Sequence, residues 1–169
     1  MTGGKKVASG EARIVVSGFW CRLEWTAEGI RRLRFGRSRD AGAPPSPPAG
    51  APPFLAQALA RLAAYFGGRK IDFGDLPVDL GRCSAFDRRV YAAARTIAYG
   101  RTLTYGGLAA RAGAPRASRA VGGSMRRNPV PILIPCHRVI RSDATLGGFS
   151  APGGARMKRR LLAMEGTEL

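Results

Sequence analysis

Residues 41–53, AGAPPSPPAGAPP, form a Pro/Ala/Gly stretch that cannot pack, so an exposed, partly extended loop is expected there. The patterning changes across it. Before it, from Arg13 to Phe35, β-branched and aromatic residues predominate: Ile14, Val15, Val16, Phe19, Trp20, Leu23 and Trp25. Ala27-Glu28-Gly29 interrupts them as a turn signal ahead of Ile30, Leu33 and Phe35, which predicts two or three antiparallel strands. Cys21 falls among them and reads as structural. After the stretch, Leu55, Leu59, Leu62 and Phe66 recur at helical spacing until Gly67-Gly68. Residues 69–83 read as a mixed connector, with Ile71 and Phe73 alternating like a short strand.

The second half is more regular. Ser84 with Asp87 three residues on is a capping signal, and Phe86, Val90, Ala94 and Ile97 line one helical face until Gly100. Thr104 then reads as the N-cap of a short helix, Tyr105–Ala112, closed by Gly113. Pro115 suits the first turn of another helix running to about Arg127. Two short helices around a glycine-containing turn make a helix-turn-helix candidate. The second, PRASRAVGGSMRR, has only Val121 and Met125 as bulky apolar residues, so it is no ordinary core helix. Its two interior glycines cost about 1 kcal/mol each relative to alanine, which is understandable if another backbone comes close. The expected fold class is α/β: a disordered tail over 1–10, a small N-terminal β-sheet and helix part over 11–80, and a mostly helical domain over 81–169.

Charge narrows the partner. Lys and Arg total 28 against 11 Asp and Glu, a net +17 with a pI near 11.5. An excess of this size is self-repulsive without a polyanion, so nucleic acid is the favoured partner and an acidic membrane surface the second. No apolar run is long enough to span a bilayer, and residues 1–10 lack the apolar centre of a signal peptide. Three cysteines in no CxxC spacing suggest neither a disulfide framework nor a zinc site, and point to a reducing, cytoplasmic setting. With one histidine the chain also lacks the ligands for a Cys/His cluster, so no metal or cofactor is expected.

The chemistry concentrates in residues 128–140, NPVPILIPCHRVI. Three prolines exclude a long helix, so Ile132-Leu133-Ile134 reads as a short buried extended segment. It ends on Cys136 beside His137, the chain's one imidazole. Neighbours on a strand face opposite ways, so direct Cys–His contact would need a kink after Pro135 or a bridging water. A carboxylate partner for His137 is suggested by residues 155–165, ARMKRRLLAME, a helix with Met157, Leu161 and Met164 on one face and Gly166 as its stop. Glu165 in the last turn faces the negative end of the helix dipole, which a partner such as His137, or the nearby Arg159 or Arg160, would offset.

The Pro-Cys136-His137-Arg138-Val139 run preceded by Asn128-Pro129-Val130-Pro131 resembles the signature of the O6-alkylguanine-DNA alkyltransferases, the methylated-DNA–protein-cysteine methyltransferases. The resemblance runs from about Ser84 to Gly166 and is weak before that. It implies direct reversal of DNA damage: irreversible, single-turnover transfer of an alkyl group from O6-alkylguanine, and O4-alkylthymine as a second substrate, to Cys136. It implies that His137 acts through a water and is oriented by Glu165, and that Asn128 ties the DNA helix to the active-site wall. It further implies that Tyr105 promotes base flipping and donates to the departing base. Double-stranded DNA is expected in the minor groove, contacted by Arg119 as the intercalating residue and by Tyr105, Ala117, Ala120, Gly122, Arg126 and Ser142. The base pocket is expected from Met125, Val139, Phe149, Ser150 and Ala151, with backbone N–H of Ser150 or Ala151 facing O6.

Two departures from the family pattern stand out. Phe149 occupies a position often held by tyrosine, and FSAPGGARMK is longer than in some members. Some members carry an N-terminal zinc, which is not expected here. The protein is expected to be monomeric, with cooperative assembly on DNA left open. The competing readings are a non-catalytic protein that flags alkylated bases, and a thiol hydrolase that turns over on carbonyl substrates.

Overall fold

The computed structural model describes residues 9–39 and 46–168. Three strands form an antiparallel meander in the order β1 (Gly10–Val16), β2 (Phe19–Thr26), β3 (Gly29–Arg37). Their alternation buries Ala12, Ile14, Phe19, Cys21, Leu23, Leu33 and Phe35 on one face. Helix α1 (Pro53–Phe66) covers that face with Leu55, Ala58, Leu59, Leu62, Tyr65 and Phe66. Phe66 stacks on Phe19 with ring centroids 4.2 Å apart. The edge of β3 is occupied by later chain: Ile30 N donates to Pro77 O at 3.0 Å and Leu33 N to Pro129 O at 2.9 Å. One continuous apolar cluster therefore runs from Ala12 through α1 to Leu161.

The remaining helices are α2 (Ala85–Arg95), α3 (Tyr105–Arg111), α4 (Ser118–Arg126) and α5 (Gly154–Met164). A two-residue parallel pair, β4 (Leu103–Thr104) with β5 (Val139–Ile140), joins the start of α3 to the segment after Cys136. Ser84 caps α2 by accepting from Asp87 N at 3.0 Å, and Thr104 caps α3 by accepting from Gly107 N at 3.0 Å. Tyr91 of α2 donates to Ser124 O at 2.9 Å, and Asp87 accepts from Arg127 Nη2 at 2.9 Å, which docks α4 on α2.

Several local expectations are corrected. Residues 1–8 and 40–45 lie outside the described residues; Gly10, expected in the tail, opens β1. At the far end of the Pro-rich stretch Pro52 is buried and Pro53 starts α1, because proline is tolerated in a first helical turn. Ile71 and Phe73 are not in a strand; it is Val78 that bridges to Ile30. Helix α2 stops at Arg95, and Ile97 packs into the core beyond its end. Pro115 sits in a turn closed by Ala117 N donating to Ala114 O at 2.9 Å, so α4 starts at Ser118.

The largest correction concerns residues 130–134. They fold into a tight buried turn, with Ile134 N donating to Val130 O at 2.9 Å and Ile132 at φ 76°. A β-branched residue in that region is a genuine outlier, held here by its surroundings. Asn128 closes the turn from inside: its Oδ1 accepts from Val130 N at 2.9 Å and its Nδ2 donates to Ile134 O at 2.8 Å.

Candidate active site

The turn delivers the chain into a single 3₁₀ turn, Cys136–Arg138, rather than a strand. Cys136 thus lies at the wall of a cavity of about 590 Å³, while His137 points into the interior with no exposed surface. The cavity is framed by Tyr105 from α3, by Ser118, Arg119, Gly122, Met125 and Arg126 from α4, and by Arg141 and residues 147–150 from the following loop. Of the expected residues, Cys136, Tyr105, Arg119, Gly122, Arg126, Met125, Phe149 and Ser150 meet here.

Five do not. Val139 is fully buried in β5 and does not line the cavity. Ala151 lines a separate groove against the sheet, on the far side of Ser150. Ser142 is exposed in the turn after β5, Ala120 is exposed on α4 and Ala117 is half-buried at its N-cap; these three were expected as DNA contacts rather than as cavity wall.

Behind Cys136, His137 Nε2 is 2.8 Å from Glu165 Oε1, with both side chains buried. Glu165 follows the last residue of α5 and gathers further donors: Arg138 Nε at 2.9 Å, Arg138 Nη2 at 3.0 Å, the Tyr65 hydroxyl at 2.7 Å and Gly100 N at 3.1 Å. The bland alternatives, Arg159 and Arg160, are exposed. Burial alone would raise the Glu165 pKa, but His137 and the doubly bonded Arg138 guanidinium hold it well below the carboxylate range. Burial pushes the His137 imidazole down, against the opposing pull of Glu165. The pair therefore rests as carboxylate and neutral imidazole, with Nε2–H donating to Glu165. That assigns the lone pair to Nδ1, which among the described residues is the one buried side-chain nitrogen or oxygen without a partner.

The Cys136 thiol is raised by burial, against which a hydrogen bond from Asn128 and the charge of Lys158 pull downward. Lys158 of α5 is fully buried, donates to Val139 O, and lies 5.8 Å from the Tyr105 ring centroid. Its own pKa is lowered by burial to about 8. The Tyr105 phenol is raised, chiefly by burial, so it stays protonated and able to donate.

Tyr65, Arg138 and Lys158 are the residues that pattern reasoning passes over. Each left a signal: a hydroxyl beside the apolar face of α1, an arginine inside the Cys136 run, and a lysine between Met157 and Leu161.

Among the described residues no helix is long and apolar enough to cross a membrane, and no cluster of His, Cys, Asp or Glu could hold a metal ion. Residues 85–167 match the family model described as 6-O-methylguanine DNA methyltransferase, DNA binding domain. A methylated-DNA–protein-cysteine methyltransferase of Methanothermobacter thermautotrophicus is 42% identical over 118 residues, 70% of this chain and 65% of the relative. The mouse protein of the same name is 46% identical over 125 residues, 70% of this chain and 58% of its own length. The aligned stretch thus spans about two thirds or less of these relatives. In three dimensions the likeness extends into the N-terminal half: the crystal structure of Mycobacterium tuberculosis OGT in complex with DNA superposes with a TM-score of 0.73 at 35% identity, covering 92% of each chain. The chain is a member of the methylated-DNA–protein-cysteine methyltransferase family.

Proposed function

We propose that this protein repairs DNA by accepting the alkyl group of O6-alkylguanine, and of O4-alkylthymine, irreversibly on Cys136. The observation that carries the reading is the division of labour within one 3₁₀ turn: Cys136 borders the open cavity while the adjacent His137 is buried, neutral and oriented by Glu165. His137 takes the thiol proton through a water at Nδ1, because a raised thiol supplies little thiolate at neutral pH. The thiolate sulfur then attacks the alkyl carbon. An S–C bond forms, the C–O6 bond breaks, and the electron pair leaves on guanine O6. Tyr105 and Ser150 both line the cavity, which supports the Tyr105 phenol and the Ser150 backbone N–H as the donors that stabilise that oxygen as its charge develops. The product is a thioether with no carbonyl for water to attack, so each molecule acts once.

A base inside a duplex cannot reach Cys136, so it must be extruded into the cavity. Arg119 and Gly122 at the cavity mouth favour minor-groove entry of α4, with Arg119 holding the vacated stack and Arg126 contacting backbone. In this reading residues 81–169 bind DNA and carry the reaction, the N-terminal part supplies Tyr65, and a monomer suffices for transfer.

Intact-protein mass spectrometry after incubation with methylated duplex tests this. One methyl mass on the Cys136 peptide is expected, and none with Cys136→Ala. No added mass would favour the non-catalytic binder, and repeated turnover on an ester would favour a thiol hydrolase.

A further inference from the structure

The outer face of the three-stranded sheet carries a charge pattern that the reactive cavity does not explain. Register sets Arg13, Arg22 and Arg34 directly opposite one another across β1, β2 and β3, and all three are exposed. Like charges facing each other across strands destabilise a sheet, so such a row is retained against its own stability. Arg22 pairs with Glu11, and Arg32 on the same face reaches Glu24 at 3.9 Å. Arg13 and Arg34 have no ion-pair partner among the described residues.

Next to this row the indole of Trp20 lies over Gly36, its partner in the register. A Cβ at Gly36 would fall 2.7 Å from the indole nitrogen, so the ring rests on bare backbone. From Trp20 and Arg34 a groove of about 510 Å³ runs past Arg127 to Ser150. Arg127 follows the last residue of α4, and Ser150 also lines the Cys136 cavity. Through the groove, Arg34 is therefore continuous with both the end of the helix and the cavity, and Arg13 lies two strands away in the same row.

We propose that this sheet face and groove bind the phosphodiester backbone of the DNA that flanks the base presented to Cys136. Charge complementarity selects the occupant: Arg13 and Arg34, exposed without an ion-pair partner among the described residues at the two ends of a three-arginine row, with Arg34 also in the groove, match a regularly spaced polyanion. Trp20 supplies an apolar floor for the sugar edge. The proposal rests on the functional reading above in one respect, that DNA lies along α4.

The test is fluorescence anisotropy with the full chain, Arg13→Gln/Arg34→Gln and, as a second variant, Arg34→Glu. Two methylated duplexes are used, one of about one helical turn and one of about three turns. On the longer duplex the double variant should bind roughly tenfold more weakly. Its log K against log salt slope should be shallower by about 1.8, the release expected for two phosphate contacts. On the short duplex neither quantity should change. Unchanged affinity and slope on the longer duplex would overturn the proposal, as would equal weakening on both lengths. Retained DNA binding with lost binding to vesicles rich in anionic lipid would also overturn it, in favour of a membrane surface. Transfer from free O6-benzylguanine to Cys136 is measured alongside and should be equal in all variants. If the parent chain fails to transfer, the functional reading falls while the affinity data still decide this one.

Discussion

The phenolic oxygen of Tyr65 lies 2.7 Å from Oε1 of Glu165, one hundred positions further along the chain. The same hydroxyl is 3.4 Å from His137 Nε2, so a helix of the N-terminal part reaches the network that orients the imidazole. Tyr65 is itself wedged among Phe66, Phe73 and Tyr99, which fixes its ring. The N-terminal part is thus joined to the chemistry through one buried hydroxyl.

Tyr65→Phe keeps the packing and removes the hydrogen bond to a buried carboxylate. A loss of about 1.5–3 kcal/mol is expected from urea unfolding midpoints. Transfer from free O6-benzylguanine should slow in the same variant, because Glu165 then holds His137 less firmly.

Acid should destabilise the fold in two stages. The folded-state pKa of His137 is lowered, so its contribution is full above the unfolded value near 6.5 and fades as pH falls through the folded pKa. Glu165 is also lowered, so its contribution is present above about 4.3 and fades below that. Both terms act in the same direction. Urea midpoints measured from pH 8 to about pH 2 should fall from about pH 6.5 downward and again below about pH 4.3, and His137→Gln should flatten the upper stage.

Lys158→Met should raise the Cys136 thiol pKa, because the buried ammonium is one of the groups pulling it down. One unit of rise would cut the thiolate fraction, and with it the transfer rate at neutral pH, roughly tenfold. The deficit should narrow above about pH 8, where the parent lysine loses its own charge. A pH–rate profile with free O6-benzylguanine checks both limbs.

Gly100→Ala should harm the site from the opposite side of Glu165. Gly100 has φ 70°, and an added Cβ would lie 2.8 Å from the Glu165 carbonyl oxygen. Its N–H also donates to Glu165 Oε2. A stability loss of about 2 kcal/mol, from the left-handed backbone and the displaced carbonyl, is expected in thermal or urea unfolding.

Arg119→Ala separates extrusion from chemistry. The side chain is exposed at the cavity mouth and touches neither His137 nor Glu165. Transfer from methylated duplex should slow markedly, with free O6-benzylguanine affected far less. Equal slowing with both substrates would remove Arg119 from the role of holding the stack open.

The chain announces its elements where one rule dominates. Alternation in 13–35, the leucine spacing of α1, and the Ser84 and Thr104 caps are short-range signals, and each element formed where they stand. Readings failed where a short-range side-chain or turn bond overrode the apolar pattern. The apolar run after Pro131 gave no local hint of a turn, because Asn128 bonds at both ends of it are what bend it. Helix α4 began late for a different reason, since Ala114–Ala117 satisfies itself as a turn. In the site, Cys136, His137 and Glu165 were legible from the resemblance of the Pro-Cys-His-Arg-Val run to a known family, with the helix-end position of Glu165 in support. Tyr65 and Lys158 were not, since a hydroxyl or ammonium turned inward reads like any other polar residue until the packing is known.

Because His137 is the chain's one imidazole, its carbon-bound ring protons have no counterpart elsewhere in the molecule. Held without solvent exposure next to the reactive sulfur, they should give isolated lines in a proton magnetic resonance spectrum. Under the proposed transfer to Cys136, the protein therefore carries an intrinsic, label-free reporter whose frequency should step once and stay displaced.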